Sequence, residues 1–464
     1  MVGVCCAYAL AREGLDVVLL ERGEVASGAS RGNAGTVSAG HPPLNRPGRI
    51  RQAVFQMLDP KSPLYVPPRW DPELWRWLLS FARHCTDAHV ERCMSVMAPL
   101  GIEALESFDR LIEEEHIDCG YRSEGYFEVC TTEKGIARAR HEASIIGRSG
   151  YHPEVVDAHE LRRREPEFGH EVVGGVHYPE ARTLDPYRFV TAVMELARDR
   201  GVELRERVSV ASVATDGGRV VGVRTEHGDF VGADHVVLAT GPFSLELARR
   251  LGVRLPVQPG KGYHRDVAVG PAGAPPLRTA CVLNETSVFC TPMDGFVRFA
   301  GTMEFSGLNQ VMRPARLRQL TDAARTCFPR LGDEAPISEW CGLRPMSVDG
   351  LPIVGPLAGI DGLSIATGHG MLGLTLAPVT GRIIAKQVTG VGEARYRSLA
   401  PERFGGPAGS PAAVVPVQRT SISRRGGDLI SSTRTLSPFL RPTIQVTTSS
   451  ASQEMPPSCT RSRS

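Results

Sequence analysis

Residues 2–21 read V-G-V-C-C-A-Y-A-L-A-R-E-G-L-D-V-V-L-L-E, and this stretch decides the fold class. Small and apolar residues recur at helical spacing over 3–14 until Gly14 ends the pattern, and 15–21 is a short apolar run closing on Glu21. The spacing predicts a helix followed by a buried strand, the second half of a βαβ unit.

Working outward, P-Y-R-F-V-T-A-V-M-E-L-A-R-D-R at 186–200 predicts an amphipathic helix with proline in its first turn, followed by Gly201 and a strand-like run. Residues 218–241 then read as a β-meander whose last strand, V-V-L-A-T-G, opens into a small-residue turn. Between these pieces lie 46–182, with Trp70, Trp75, Trp77 and helical periodicity, and the β-rich stretch 256–334. The interleaving predicts an α/β chain. A Rossmann-like dinucleotide domain (1–45, 183–255 and 335–404), its first strand missing, is interrupted by an α+β substrate domain on an antiparallel sheet (46–182 and 256–334).

The 464 residues amount to roughly three domain equivalents. Lys and Arg number 53 against 51 acids, so no strong field points to nucleic acid. The eleven cysteines are scattered without zinc-site spacing, which argues against a metal and for a reducing, cytoplasmic compartment. No apolar run approaches bilayer-spanning length, so membrane contact would be at most peripheral, at the inner face. From 405 to 464 the chain holds twelve Ser, seven Thr, seven Pro and seven Arg against two acids. That bias predicts a disordered tail, such as a frameshift near the natural terminus leaves, whose deletion spares activity.

A dinucleotide fold needs strand, G-x-G-x-x-G turn, helix and a second strand ending in an acid for the ribose. Gly3 sits where the third glycine belongs, allowing close helix–strand packing, and Glu21 lies eighteen residues on. Counting back, the first strand and two glycines belong before Met1, and the expectation is an upstream start codon or a damaged gene. Alone this truncated fingerprint is weak. The small-residue stretch S-G-A-S-R-G-N-A-G-T-V-S-A-G at 27–40, with Ser30 and Asn33, reads equally as a phosphate-approaching loop or a plain surface loop.

The most specific blocks are C-G-L-R-P-M-S-V-D-G-L-P-I-V-G-P at 341–356 and A-T-G-H-G-M-L-G-L-T-L-A-P at 366–378. Arg344, stiffened by Pro345, either binds an anion or pairs with a buried acid such as Asp349. The second block leads Gly368, Gly370 and Gly373 into a helix expected from about Leu372 to Val388, whose N-terminus suits negative charge. His369 in this turn reads as a spectator rather than a proton carrier.

With K-G-Y at 261–263, these motifs give a chain that resembles the D-amino-acid oxidase (DAO) family of FAD-dependent oxidoreductases over Met1 to about Phe404, most closely the D-amino-acid dehydrogenase small subunits. The resemblance implies that Glu21 holds the adenosine ribose, that Ser30 and Asn33 line the flavin and its phosphates, and that Val208 lies near the adenine and Gly241 near the dinucleotide. It further implies that Gly370, Leu372, Gly373, Leu374 and Thr375 lie near the isoalloxazine, that Arg344 grips the substrate carboxylate, and that Tyr263 lines the pocket beside it. The implied reaction is oxidative deamination of a D-amino acid to a 2-oxo acid and ammonia, hydride passing from Cα to flavin N5 and electrons onward to a quinone or other acceptor. Two alternatives stay open at this point: an oxidase or dehydrogenase of glycine, sarcosine or a cyclic imino acid such as D-proline or hydroxyproline, and a truncated, non-catalytic remnant.

Overall fold

The computed structural model describes residues 1–38, 40–48, 50, 59, 62–268, 277–331, 335–405 and 443–448. The opening stretch folds as its spacing requires. A helix covers Val2–Arg12, Gly14 takes a φ of +77°, and the chain reverses into the strand Asp16–Glu21, buried from Val17 onward. The helix Pro186–Asp199 likewise has its expected start: the Asp185 carboxylate accepts the N–H groups of Tyr187 and Arg188 ahead of the proline turn.

Asp16–Glu21 belongs to a six-stranded sheet in the order Ile353–Pro356, Leu363–Thr367, His235–Leu238, Thr443–Thr448, Asp16–Glu21, Glu203–Arg205. All neighbours run parallel except Ile353–Pro356, which is antiparallel to Leu363–Thr367. The helices Val2–Arg12 and Ala377–Val388 pack together, with Gly381 pressed so closely on Cys5 that a Cβ would lie 2.4 Å from the Cys5 carbonyl oxygen.

Here one expectation fails. Composition predicts a disordered tail over 405–464, but Thr443–Thr448 is a central strand of this sheet, between Asp16–Glu21 and His235–Leu238. The physical reason is local: T-I-Q-V-T-T is a β-prone run, and Ile444 and Val446 enter the same core cluster as Val4, Ala7 and Val237. Flanking Ser, Arg and Pro hide six residues of strand character in a sixty-residue average. The rest of the expected tail, 406–442 and 449–464, lies outside the described residues.

A second sheet has nine strands. Its path runs Pro336–Ser347, Val257–Ala268, Phe296–Glu304, Val288–Met293, Ala280–Leu283, Tyr126–Cys130, Gly174–Tyr178 and Glu154–Asp157, with Leu64–Tyr65 also pairing to Phe296–Glu304. It is antiparallel apart from two pairings, Ala280–Leu283 with Tyr126–Cys130 and Leu64–Tyr65 with Phe296–Glu304. The division at residue 335 groups Pro336–Ser347 with the dinucleotide segments, yet this strand pairs along its length with Val257–Ala268. Arg344 therefore stands on the nine-stranded sheet, while the chain that follows it returns to the six-stranded one.

Candidate active site

Between the two sheets lies a cavity of about 870 Å³, lined by residues from both. Arg344 reaches it because of its register. On the antiparallel pair, Gly260 stands opposite Arg344 and Gly262 opposite Gly342. A Cβ on Gly262 would lie 2.3 Å from the Arg344 guanidinium carbon, and one on Gly342 would lie 2.0 Å from the Trp340 ring. The bare backbone is what lets these two large side chains lie flat across the sheet.

The Arg344 guanidinium donates to the Thr302 carbonyl oxygen at 2.7 Å and approaches the Met303 sulfur at 3.9 Å. No carboxylate of the described residues pairs with it, and burial pulls its pKa down to about 10, so it stays charged at neutral pH. The alternative left open by the sequence resolves here. Asp349 pairs instead with Arg403, whose Nε donates to Oδ2 at 2.8 Å. Arg344 is a cavity cation with donors to spare.

The glycine turn lies beside it. The Gly370 N–H donates to the Pro345 carbonyl at 2.9 Å, and His369 forms a bridge with Met346. Gly370, Leu372, Gly373 and Leu374 line the cavity; Gly368 and Thr375 do not, and the Thr375 hydroxyl accepts the Ser38 N–H at 3.2 Å. The helix expected from Leu372 begins only at Ala377, because Gly368 and Gly370 take φ values of +72° and +55° and 372–376 close in turns. The His369 imidazole contacts the Thr380 hydroxyl at 3.0 Å, and burial lowers its pKa to about 4, so it is neutral at pH 7.

Ser30, Asn33, Glu21 and Gly241 also line the cavity. The Met1 amine donates to the Ser30 hydroxyl at 3.0 Å, and Asn33 Oδ1 accepts the Gly35 N–H at 2.8 Å. Glu21 is buried, its Oε1 accepting the Gly23 N–H at 2.8 Å and its Oε2 the Thr448 hydroxyl at 2.6 Å. Val208 is tied to Glu21 through its N–H but lies off the cavity wall. Gly3 does not line the cavity. A Cβ there would lie 1.9 Å from Thr448 Cγ2, so its missing side chain serves helix–strand packing, with the strand coming from the far end of the chain.

Tyr263 is not where the resemblance puts it. Side chains alternate along Val257–Ala268, so the face carrying Gly260 and Gly262 turns toward Arg344 and the opposite face carries Lys261 and Tyr263. The Tyr263 hydroxyl donates to Glu304 Oε2 at 2.9 Å within a separate buried cluster, away from the cavity.

Sequence reasoning missed the support under the 30–35 loop. Arg298 grips Asp266 with Nε and Nη2 at 2.8 and 2.9 Å and also donates to the carbonyls of Arg31 and Asn33. Trp340 stacks on His264 and covers Gly32, whose Cβ would lie 2.1 Å from the ring. At the far wall, burial pushes the Glu128 carboxyl up, and Glu128 accepts from Asn284 and from the Tyr178 hydroxyl. The alternation of Trp340 with the glycine-arginine block was the one available signal for this support. The other groups are distant in sequence and carry none.

The site fits FAD on its own features. The void falls in the range of cofactor sites, a buried carboxylate closes one end, and at Gly241 the space where a Cβ would stand is open to 4 Å.

Comparison with known proteins agrees. The chain is 35% identical to a D-amino acid dehydrogenase of Methylobacterium nodulans over 84% of this chain and 93% of that one. It is 30% identical to a D-amino acid dehydrogenase of Vibrio vulnificus over 84% and 94%. Among solved structures, glycine oxidase from Geobacillus kaustophilus superposes with a TM-score of 0.69 at 22% identity over 87% of this chain and 96% of that one, a likeness of fold. L-proline dehydrogenase from P. horikoshii does so with 0.66 at 17% over 87% and 95%. With the FAD dependent oxidoreductase (DAO) pattern matched across residues 1–387, the chain belongs to that family.

Proposed function

We propose that the protein oxidatively deaminates D-amino acids to 2-oxo acids and ammonia, passing electrons to a quinone or another carrier. The carrying observation is Arg344, a cavity cation that no acid of the described residues neutralises. The names of the relatives support the substrate class.

FAD, when bound, supplies the two-electron acceptor for the substrate Cα hydride. In this reading Glu21 would hold the ribose, the 30–35 loop the phosphates, and the turn from Gly370 to Leu374 would stand by the ring. The work of the chain is orientation. With one Arg344 donor engaged by Thr302, the remaining N–H groups of the planar guanidinium can take a carboxylate in a paired grip, which a lysine cannot reproduce. Thr302 and Met303 hold that guanidinium by their contacts, and the bare Gly262 backbone leaves it room. Neutral His369 places no second cation beside the substrate amine, whose proton goes to water. Water then converts the imine to the oxo acid and ammonia.

A panel of D- and L-amino acids, assayed by dye reduction beside hydrogen peroxide, tests this reading. The expected result is dye reduction by D-amino acids with little peroxide. Turnover confined to glycine, sarcosine or a cyclic imino acid, with stoichiometric peroxide, would replace it with the oxidase reading.

A further inference from the structure

We infer that the groove between Asp16–Glu21 and His235–Leu238 is a strand-acceptor site, and that residues 443–448 of the same chain are the donor on which flavin retention depends. The backbone fit is complete. Asp16 to Glu21 stand in register with Thr443 to Thr448, and His235 to Leu238 with Ile444 to Thr447. The Asp234 and Ala239 N–H groups donate to the Thr443 and Thr447 carbonyls, and the Thr443 N–H donates to the Asp234 carboxylate at 3.1 Å. Without an occupant, both flanking strands would present unpaired amides and carbonyls in mid-sheet. The donor also reaches the nucleotide end, where the Thr448 hydroxyl holds Glu21 Oε2.

The side chains fit less well, and that mismatch makes the inference testable. A strand buried between parallel neighbours is ordinarily apolar on both faces. Ile444 and Val446 meet that demand, but Gln445 and Thr447 are fully buried too. Gln445 Nε2 donates to the Val231 carbonyl at 3.2 Å, whereas its Oε1 finds no partner among the described residues. An orphaned buried acceptor is destabilising, so a shorter, β-branched apolar residue that removes it should tighten the donor even though the Val231 contact is lost with it.

The experiment uses the full chain with Gln445→Val and Val446→Asp, read by thermal melting, amide hydrogen exchange and flavin absorbance per protein. Gln445→Val should raise Tm by roughly 2 °C or more and slow flavin loss. Val446→Asp should lower both and remove protection from the amides of Asp16–Glu21 and His235–Leu238. Should Val446→Asp fail to fold, the Gln445→Val shift and the exchange map of the unaltered protein still decide. Unchanged melting in Gln445→Val, or freely exchanging amides at 444–448 in the unaltered chain, overturns the inference. The flavin arm rests on the FAD reading and the exchange arm does not. A colourless protein with protected 444–448 amides defeats that reading and leaves the donor strand standing, whereas a yellow protein with exposed ones does the reverse.

Discussion

The two ends of the cavity are built in opposite ways. At the Arg344 end, contiguous residues do most of the work: Trp340, Gly342, Arg344 and Pro345 share one strand, and the glycine turn docks directly on Pro345. At the Glu21 end, the strand Asp16–Glu21 is completed by one from beyond residue 440, six residues in register, with the Thr448 hydroxyl closing on the Glu21 carboxylate. The first end is local. The second is assembled across the whole chain, so its stability rides on sheet pairing.

That contrast can be broken first at Val446. Placing a charge at this fully buried position, in register between Leu19 and Val237, should cost about 3–5 kcal/mol. Urea unfolding checks it. A loss below 1 kcal/mol would mean that the six-stranded sheet stands without this strand, and the contrast would vanish.

At the other end, Gly262→Ala should act on substrate and not on flavin. The added methyl has its place 2.3 Å from the Arg344 guanidinium carbon, so the side chain must shift. Substrate capture should weaken about tenfold, or about 1.4 kcal/mol, with flavin content unchanged. Steady-state KM and visible absorbance measured on the same sample separate the two.

A further effect is a slope. Burial holds His369, His264 and His235 at about 4 against an ordinary 6.5. The unfolded chain takes up those protons near 6.5 and the folded one only near 4, so stability is full above 6.5 and falls as pH drops toward 4. His369→Gln should flatten that dependence by about one proton, visible as a smaller difference between urea midpoints at pH 7 and pH 5. An unaltered slope would mean that His369 is hydrated.

What the sequence made legible follows the same division. The helix and strand of 2–21 and the Arg344 and Gly370 blocks were readable because periodicity and motif act over a few residues. Tyr263 misled because a motif fixes neighbours but not the face of a strand on which a residue lands; Glu304 claims its hydroxyl from the far side. Arg298 and Asp266 were invisible because their loop partners lie more than 260 residues away from Arg298. Thr443–Thr448 was misread because composition averages over a window longer than a strand.

The most direct test of the account is kcat/KM of Arg344→Ala on a D-amino acid that the unaltered protein oxidises, with flavin per protein measured on the same preparation. Loss of a charged, paired hydrogen bond predicts weakening by roughly 1.5–3 kcal/mol or more, about tenfold to beyond a hundredfold, at an unchanged flavin ratio. A variant that keeps its KM but sheds its flavin would make Arg344 a scaffold residue and contradict the account.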